Sequence, residues 1–221
     1  MEKIIYASST AVYPLDSQYS AGAIFSEEDL EIKPKTKDQK LKMSINPDGG
    51  YGLAKLLAEI QLNLMKNAKV GIARIFNVYG INEPLDERSH AISDLIRKAI
   101  NYPKEDFIVW GDGKQTRDYM YVSDCVDALV KLEEKISGYQ PLPLILNIGS
   151  GKTISISDLA EVIIKISGKN IKPKYDVQKP VGPMSRTADI RKVKEALNWE
   201  PKVSFEEGLK RTFVWIQEKI T

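Results

Sequence analysis

Tyr51-Gly52-Leu53-Ala54-Lys55 opens a segment in which apolar Leu56, Leu57, Ile60, Leu64 and Met65 recur at three- and four-residue steps. That spacing predicts a helix over residues 51–67. Positions i and i+4 share a helix face, so the Tyr51 phenol and the Lys55 ammonium can converge on one spot. A free phenol titrates near pH ~10, and a fixed cation beside it stabilises the phenolate. A tyrosine tuned in this way can pass a proton to or from a hydroxyl or a ketone. The spacing alone fits a solvated helix face equally well, so its meaning depends on the rest of the chain.

Upstream, Lys3-Ile4-Ile5-Tyr6-Ala7 reads as a short apolar strand that ends in Ser8-Ser9-Thr10-Ala11-Val12-Tyr13. Residues 70–76 and 144–148 read as further buried strands, and the carboxyl ends of parallel strands are where α/β sheets bind ligands. Helical periodicity is predicted over 91–100, 124–132, 157–166, 190–197 and 205–220, with Ser155 or Ser157 capping the third of these. A strand at 107–110 runs into the tight turn Gly111-Asp112-Gly113, and 179–186 reads as a loop.

These pieces stand in a recognisable order. A strand ending in Ser8-Ser9 precedes Tyr-x-x-x-Lys at Tyr51 and Lys55, then Arg74-Ile75-Phe76-Asn77-Val78-Tyr79-Gly80, then Trp110-Gly111-Asp112-Gly113-Lys114-Gln115-Thr116-Arg117-Asp118. Val122-Ser123-Asp124, Asn147-Ile148-Gly149 and Leu197-Asn198-Trp199-Glu200-Pro201 follow. The chain thereby resembles the extended short-chain dehydrogenase/reductases, the NAD-dependent nucleotide-sugar epimerases and dehydratases, over essentially its whole length. The resemblance implies an α/β fold: the carboxyl-terminal part of a Rossmann-type doubly wound parallel sheet, with a smaller α/β substrate-binding domain. Residues 1–80 and 119–149 would form the first, 81–118 and 150–221 the second.

The resemblance also assigns roles. Ser9, Tyr51 and Lys55 are the expected catalytic residues, and Ala7, Ser8, Tyr51, Lys55 and Phe76 the expected contacts to NAD. Phe76 could equally be core packing. Ser9, Thr10, Asn77, Arg117 and Arg186 are expected to bind a nucleotide-diphosphate sugar, the two arginines through its phosphates. An arginine's planar fork of donors suits phosphate oxygens, although Arg117 beside Asp118 could also be a surface ion pair.

One family feature is missing. A dinucleotide-binding sheet begins with a strand, a Gly-rich turn and a helix whose N-terminus holds the pyrophosphate. Gly49, Gly50 and Gly52 follow no strand, and Gly149-Ser150-Gly151 comes too late. The expectation is therefore a fragment of a longer protein, or a chain completed by a partner chain, that holds NAD weakly by itself. A homodimer is also expected.

Composition narrows the alternatives. With 32 basic and 30 acidic residues and a net charge of +2, no strong field for nucleic acid or membrane is expected. The lysine-dense run at 33–42 reads as a solvated loop. Cys125, the single cysteine, excludes an internal disulfide framework, fits a cytoplasmic protein, and lies in an apolar-periodic run that implies burial. No cluster has metal-ligand spacing. His90, the one histidine, reads as a helix cap or surface residue.

The chemistry turns on the residues after Ser9. Relatives that eliminate water or decarboxylate place acidic groups there, whereas this chain has Thr10 and Ala11. Simple 4-epimerisation through a transient 4-keto sugar is the first expectation. The 3,5-epimerase branch acting on GDP-mannose, which several stretches also resemble, is the second, although that branch carries a cysteine where Ala11 stands and a lysine that has no counterpart at 81–90. A 4,6-dehydratase and a non-catalytic sugar-nucleotide-binding fragment remain further alternatives.

Overall fold

The computed structural model describes residues 2–30, 47, 49–86, 88–138 and 143–220, so the lysine-dense run lies outside the described residues. In chain order the elements are β1 (Glu2–Ser9), α1 (Leu15–Gln18), β2 (Ile24–Phe25), α2 (Tyr51–Asn63), β3 (Ala68–Ile75) and β4 (Asn77–Tyr79). Next come α3 (Ala91–Asn101), β5 (Ile108–Trp110), β6 (Thr116–Arg117), β7 (Tyr119–Tyr121), α4 (Val122–Lys135) and β8 (Leu144–Ile148). The chain finishes with β9 (Ile154–Ser155), α5 (Ile156–Ser167), β10 (Lys174–Asp176), β11 (Ser185–Ala188), α6 (Arg191–Leu197) and α7 (Phe205–Ile220).

The fold is α/β with parallel strands, as expected. β1, β3 and β8 form a parallel sheet in the order β1-β3-β8, with Ser9 opposite Ile75 and Ile75 opposite Ile148. Strand side chains alternate between faces. Ile4, Tyr6, Val70 and Ile72 pack with Leu62 of α2, while Ile5 and Ala73 pack with Ala128 and Leu132 of α4. Gly71 permits that second layer, because a Cβ there would stand 2.9 Å from both Ile5 Cδ1 and Leu132 Cγ. The segment around Val193, Leu197 and Trp199, expected with the substrate-binding part, packs on this sheet's core.

A second core joins α3, α5, α7 and β5 through Leu95, Ile96, Val109, Leu159, Ile163 and Phe213. Each such side chain contributes about 1.5–3 kcal/mol by leaving water. Ser155 caps α5, its hydroxyl accepting from Asp158 N at 3.0 Å, which decides between the two candidate serines. Gly168 ends the helix at φ +66°, a conformation glycine adopts without strain. Between the cores, β2, β11, β6 and β9 form a small sheet, and β4 pairs with β7.

Two expectations are corrected. α2 stops at Asn63 rather than 67, because the chain must turn into β3 at Ala68. Leu57 on α2, and Leu64 and Met65 just beyond its end, are exposed, Leu64 by 72%. The buried polar position of that helix is Glu59, which the apolar pattern did not single out. Arg186 lies not in a loop but on β11, in register with Arg117 of β6.

Candidate active site

β1 delivers Ser9 to the carboxyl edge of the main sheet, and α2 begins close by. Gly52 makes this approach possible: a Cβ would stand 2.2 Å from the Ala11 carbonyl oxygen, so a larger residue would push α2 away. Ser9 caps the short 3-10 turn Thr10–Val12, its hydroxyl accepting from Ala11 N at 3.2 Å. Tyr51, the first residue of α2, is 59% exposed. Lys55 Nζ donates to the Ala7 carbonyl at 2.7 Å and lies 5.6 Å from the centre of the Tyr51 ring. The cation is thus tethered to the end of β1 beside the tyrosine.

Ser9, Tyr51, Phe76, Asn77 and Arg117 line one cavity of about 960 Å³. Its other walls are the first turns of α3, strand β5 and Pro180-Val181. Ala7, Ser8, Lys55, Thr10 and Arg186 are not in its wall. Ser8 is buried and its hydroxyl donates to Glu59. Thr10 is buried in the 3-10 turn, with no hydrogen-bond partner for its Oγ1. Arg186 Nε donates to Gln18 Oε1. Phe76 is both core and wall: buried, it packs near Tyr13 with ring centres 6.4 Å apart.

The electrostatics single out Arg117. Its guanidinium donates to the Thr116 and Val181 carbonyls at 2.7 and 3.2 Å, and among the described residues no carboxylate pairs with it. Burial pushes its pKa down, the response of a cation deprived of water. Asp118 is not its partner. That fully buried carboxylate accepts from the backbone N–H groups of Ser150, Gly151 and Ala188, fixing the Gly149–Gly151 turn beside β11. Nearby in the wall, Asn77 Oδ1 is buried with no hydrogen-bond partner among the described residues, and burial pushes the Tyr119 phenol up to about 12.

Sequence reasoning passed over two wall residues. Trp110 is half exposed on the cavity, and Lys179 lies 5.6 Å from its ring centre. His90 precedes α3 with its ring Nδ1 2.6 Å from Glu83 Oε1. A lone histidine carries no periodic signal, and nothing in the sequence links it to Glu83. Cys125 is buried as expected, which pushes its thiol up to about 11.

The residues present fit the nicotinamide end of a dinucleotide. The Lys55 ammonium keeps donors beyond the one spent on Ala7, the Tyr51 phenol is open, and both sit at a parallel-strand end. Among the described residues no strand leads through a Gly-rich turn into a helix, so the pyrophosphate has no such cradle here.

Comparison with known proteins agrees with this site. The family model "NAD dependent epimerase/dehydratase family" matches residues 1–149. GDP-mannose 3,5-epimerase of Arabidopsis thaliana is 31% identical over 225 residues, covering 100% of this chain and 55% of that protein. A UDP-N-acetyl-alpha-D-glucosaminuronate decarboxylase of Bacillus cytotoxicus is 32% identical, covering 98% of this chain and 64% of that protein. Among solved structures, UDP-glucose 4-epimerase of Thermotoga maritima with UDP-glucose superposes with a TM-score of 0.77 at 25% identity, covering 100% of this chain and 65% of that one. UDP-glucuronic acid 4-epimerase of Bacillus cereus with UDP-glucuronic acid and NAD gives 0.76 at 27%, covering 98% and 62%. The chain thus spans little more than half the length of the first curated relative. With the strand-end serine, the Tyr51–Lys55 helix and the family model in agreement, the chain belongs to the NAD-dependent epimerase/dehydratase family.

Proposed function

We propose that the chain is the proton-transfer and substrate-binding part of an NAD-dependent nucleotide-sugar epimerase that inverts C4 through a transient 4-keto sugar. The observation that carries this reading is that one cavity holds Ser9 and Tyr51 together with Arg117, a desolvated guanidinium with no carboxylate partner among the described residues. A nucleotide-diphosphate sugar offers both complements at once: hydroxyls for the phenol, and phosphate oxygens for the guanidinium.

In this reading Tyr51 takes the proton of the C4 hydroxyl, and Ser9 hydrogen-bonds the same oxygen. Lys55, tethered to Ala7, holds positive charge beside the phenol and donates to the cofactor's ribose. Bound NAD supplies the hydride acceptor. Arg117 holds the diphosphate, and the unpartnered Asn77 Oδ1 accepts from the ligand. The Ser8 hydroxyl is engaged by Glu59, so exposed Ala7 and the backbone of Ser8 are what would face the cofactor. Arg186, in register with Arg117, holds Gln18 through its Nε, and its Nη donors would be the ones to join Arg117 on the phosphates. The cytoplasmic location and homodimeric state expected from sequence belong to the same proposal. Support for the dimer is the exposed pair Leu53 and Leu57 on α2, with exposed Leu64 at its C-cap, which a second copy would cover.

The relation to GDP-mannose 3,5-epimerase favours a second reading, enolisation toward C3 and C5. Against it, Thr10 and Ala11 are buried and carry no acid or thiol. Turnover in deuterated water by the enzyme completed with its dinucleotide-binding part separates the two. A C4 epimer without carbon-bound deuterium supports 4-epimerisation, whereas deuterium at C3 or C5 establishes the second reading. Tyr51→Phe is expected to lower turnover at least a hundredfold, about 2.7 kcal/mol, at nearly unchanged nucleotide-sugar affinity. A variant retaining a tenth of the rate would remove Tyr51 from the chemistry.

A further inference from the structure

Beneath the cavity lies a polar network that the proposed chemistry does not use. Tyr51, Lys55 and Glu59 follow one another at four-residue steps on α2, each step rotating the side chain by about 40°. Their environment changes accordingly, from exposed to half-buried to buried, and Glu59 is 1% exposed. The Glu59 carboxylate accepts from Ser8 Oγ of β1 and from Arg74 Nε and Nη2 of β3, the last at 2.9 Å. Arg74, also 1% exposed, spends its remaining donors on Tyr13 Oη, the Glu27 carbonyl and the Leu30 carbonyl. Tyr13 in turn donates to Asn147 Oδ1 of β8 at 2.6 Å.

All five N–H donors of that guanidinium are therefore engaged. Burying an ion pair contributes little to net stability, because desolvation offsets the attraction. What such a pair does supply is direction. Apolar Leu56 would tolerate a small rotation of α2, whereas a carboxylate shared between a strand-end hydroxyl and a fixed fork of donors would not.

We propose that Glu59 is a positioning residue: held by Ser8 and Arg74, it sets the rotation of α2 and thereby the place of the Tyr51 phenol relative to Ser9. The proposal rests on the reading of Tyr51 as the proton carrier. It makes the reach of the side chain at 59 matter more for turnover than its charge. Glu59→Gln keeps the reach and an acceptor but leaves Arg74 without a counter-charge. Glu59→Asp keeps the charge and shortens the reach.

Steady-state kinetics with NAD and nucleotide-sugar, together with thermal unfolding, tests this. Positioning predicts that Glu59→Asp lowers kcat tenfold or more at unchanged KM, while Glu59→Gln keeps kcat within threefold despite a lower Tm. A merely structural pair predicts the reverse order, with activity following Tm, and that result overturns the proposal. Amide exchange across 51–58 in the chain without ligand gives a readout that needs no activity. Exchange should be at least tenfold faster in Glu59→Asp than in Glu59→Gln, and equal exchange overturns the proposal even where the assigned reaction itself proves wrong. If either variant fails to fold, Tyr13→Phe, which removes one acceptor of Arg74, carries the test: a kcat loss of threefold or more at unchanged KM supports positioning, and an unchanged kcat overturns it.

Discussion

Two arginines, Arg74 and Arg117, sit in neighbouring parts of the molecule and do opposite things. Around Arg74 the polar groups close on themselves: every donor has an acceptor, the counter-charge is Glu59, and no solvent reaches the guanidinium. Around Arg117 they stay open. Two carbonyls accept from it, among the described residues no carboxylate does, and the guanidinium borders a cavity. The difference teaches how to recognise a ligand's place in a folded chain. A cation with its counter-charge beside it belongs to the architecture, whereas one desolvated with no carboxylate among the described residues is the one proposed to take an anion from outside.

Substitution should separate the two sharply. Arg74→Met strands the Glu59 carboxylate and the Glu27 and Leu30 carbonyls inside the protein, so unfolding in urea should show a loss of about 3–5 kcal/mol. Arg117→Met removes a cation that burial already penalises, and its stability should change by about 1 kcal/mol or less. Equal losses for the two variants would break the comparison.

Ligand binding should then reverse the order. Titration of UDP and of GDP into the chain, followed by calorimetry, should show Arg117→Met weakened about 10- to 100-fold for whichever nucleotide the parent binds, a loss of about 1.4–2.8 kcal/mol. Arg117→Lys should recover only part, because a point charge does not replace a fork of donors. Unchanged affinity in Arg117→Met would remove the arginine from the phosphates and leave its missing counter-charge unexplained.

The sequence showed one of these roles and concealed the other. Arg117 lay in an ordered motif whose composition pointed to phosphate; β3 and β8 were legible because their apolar runs are long enough to be buried on both faces, and β1 from its short apolar run, although most of that strand is exposed or half-buried. Arg74 sat in an equally clear motif, yet its partner is Glu59, fifteen positions upstream on a different element. Pairings of that kind arise from the register of α2 against the sheet, which no periodicity records. The same holds for Ser8: strand alternation places its side chain on the face opposite that of Ser9, but only the position of Glu59 shows where its hydroxyl goes. The apolar spacing around α2 overran the helix for a related reason: Leu64 and Met65 continue the helical spacing past Asn63, and they and Leu57 are exposed.

His90 stands between the two arginines in kind, and it offers the smallest and finest test. Like Arg74 it has a carboxylate partner, since Glu83 accepts from its backbone N–H at 2.9 Å and lies 2.6 Å from its ring Nδ1. Like Arg117 it borders the cavity, with its side chain 82% exposed. The hydrogen bond it donates to the Glu83 carboxylate holds the imidazole above its ordinary value of 6.5, against a smaller opposing effect of burial. Glu83 is shifted the other way: burial alone would raise it, but the hydrogen bonds from His90 and Ser93 outweigh that and hold it below the usual carboxylate range. Among the described residues, the other charged groups of this segment and of α3's first turns are paired, Asp86 with Arg88 and Asp94 with Arg97 and Lys98. Because the folded value is the higher one, the stability this pair contributes is fully present below the unfolded midpoint near 6.5 and disappears as pH rises through the folded midpoint. A proton NMR titration of the single imidazole should therefore give a midpoint above 6.5, and Glu83→Gln should return it toward that value. An unshifted midpoint in the parent would show that Glu83 does not hold the ring in solution, and would leave Arg117 as the cation that marks the anion end of the cavity.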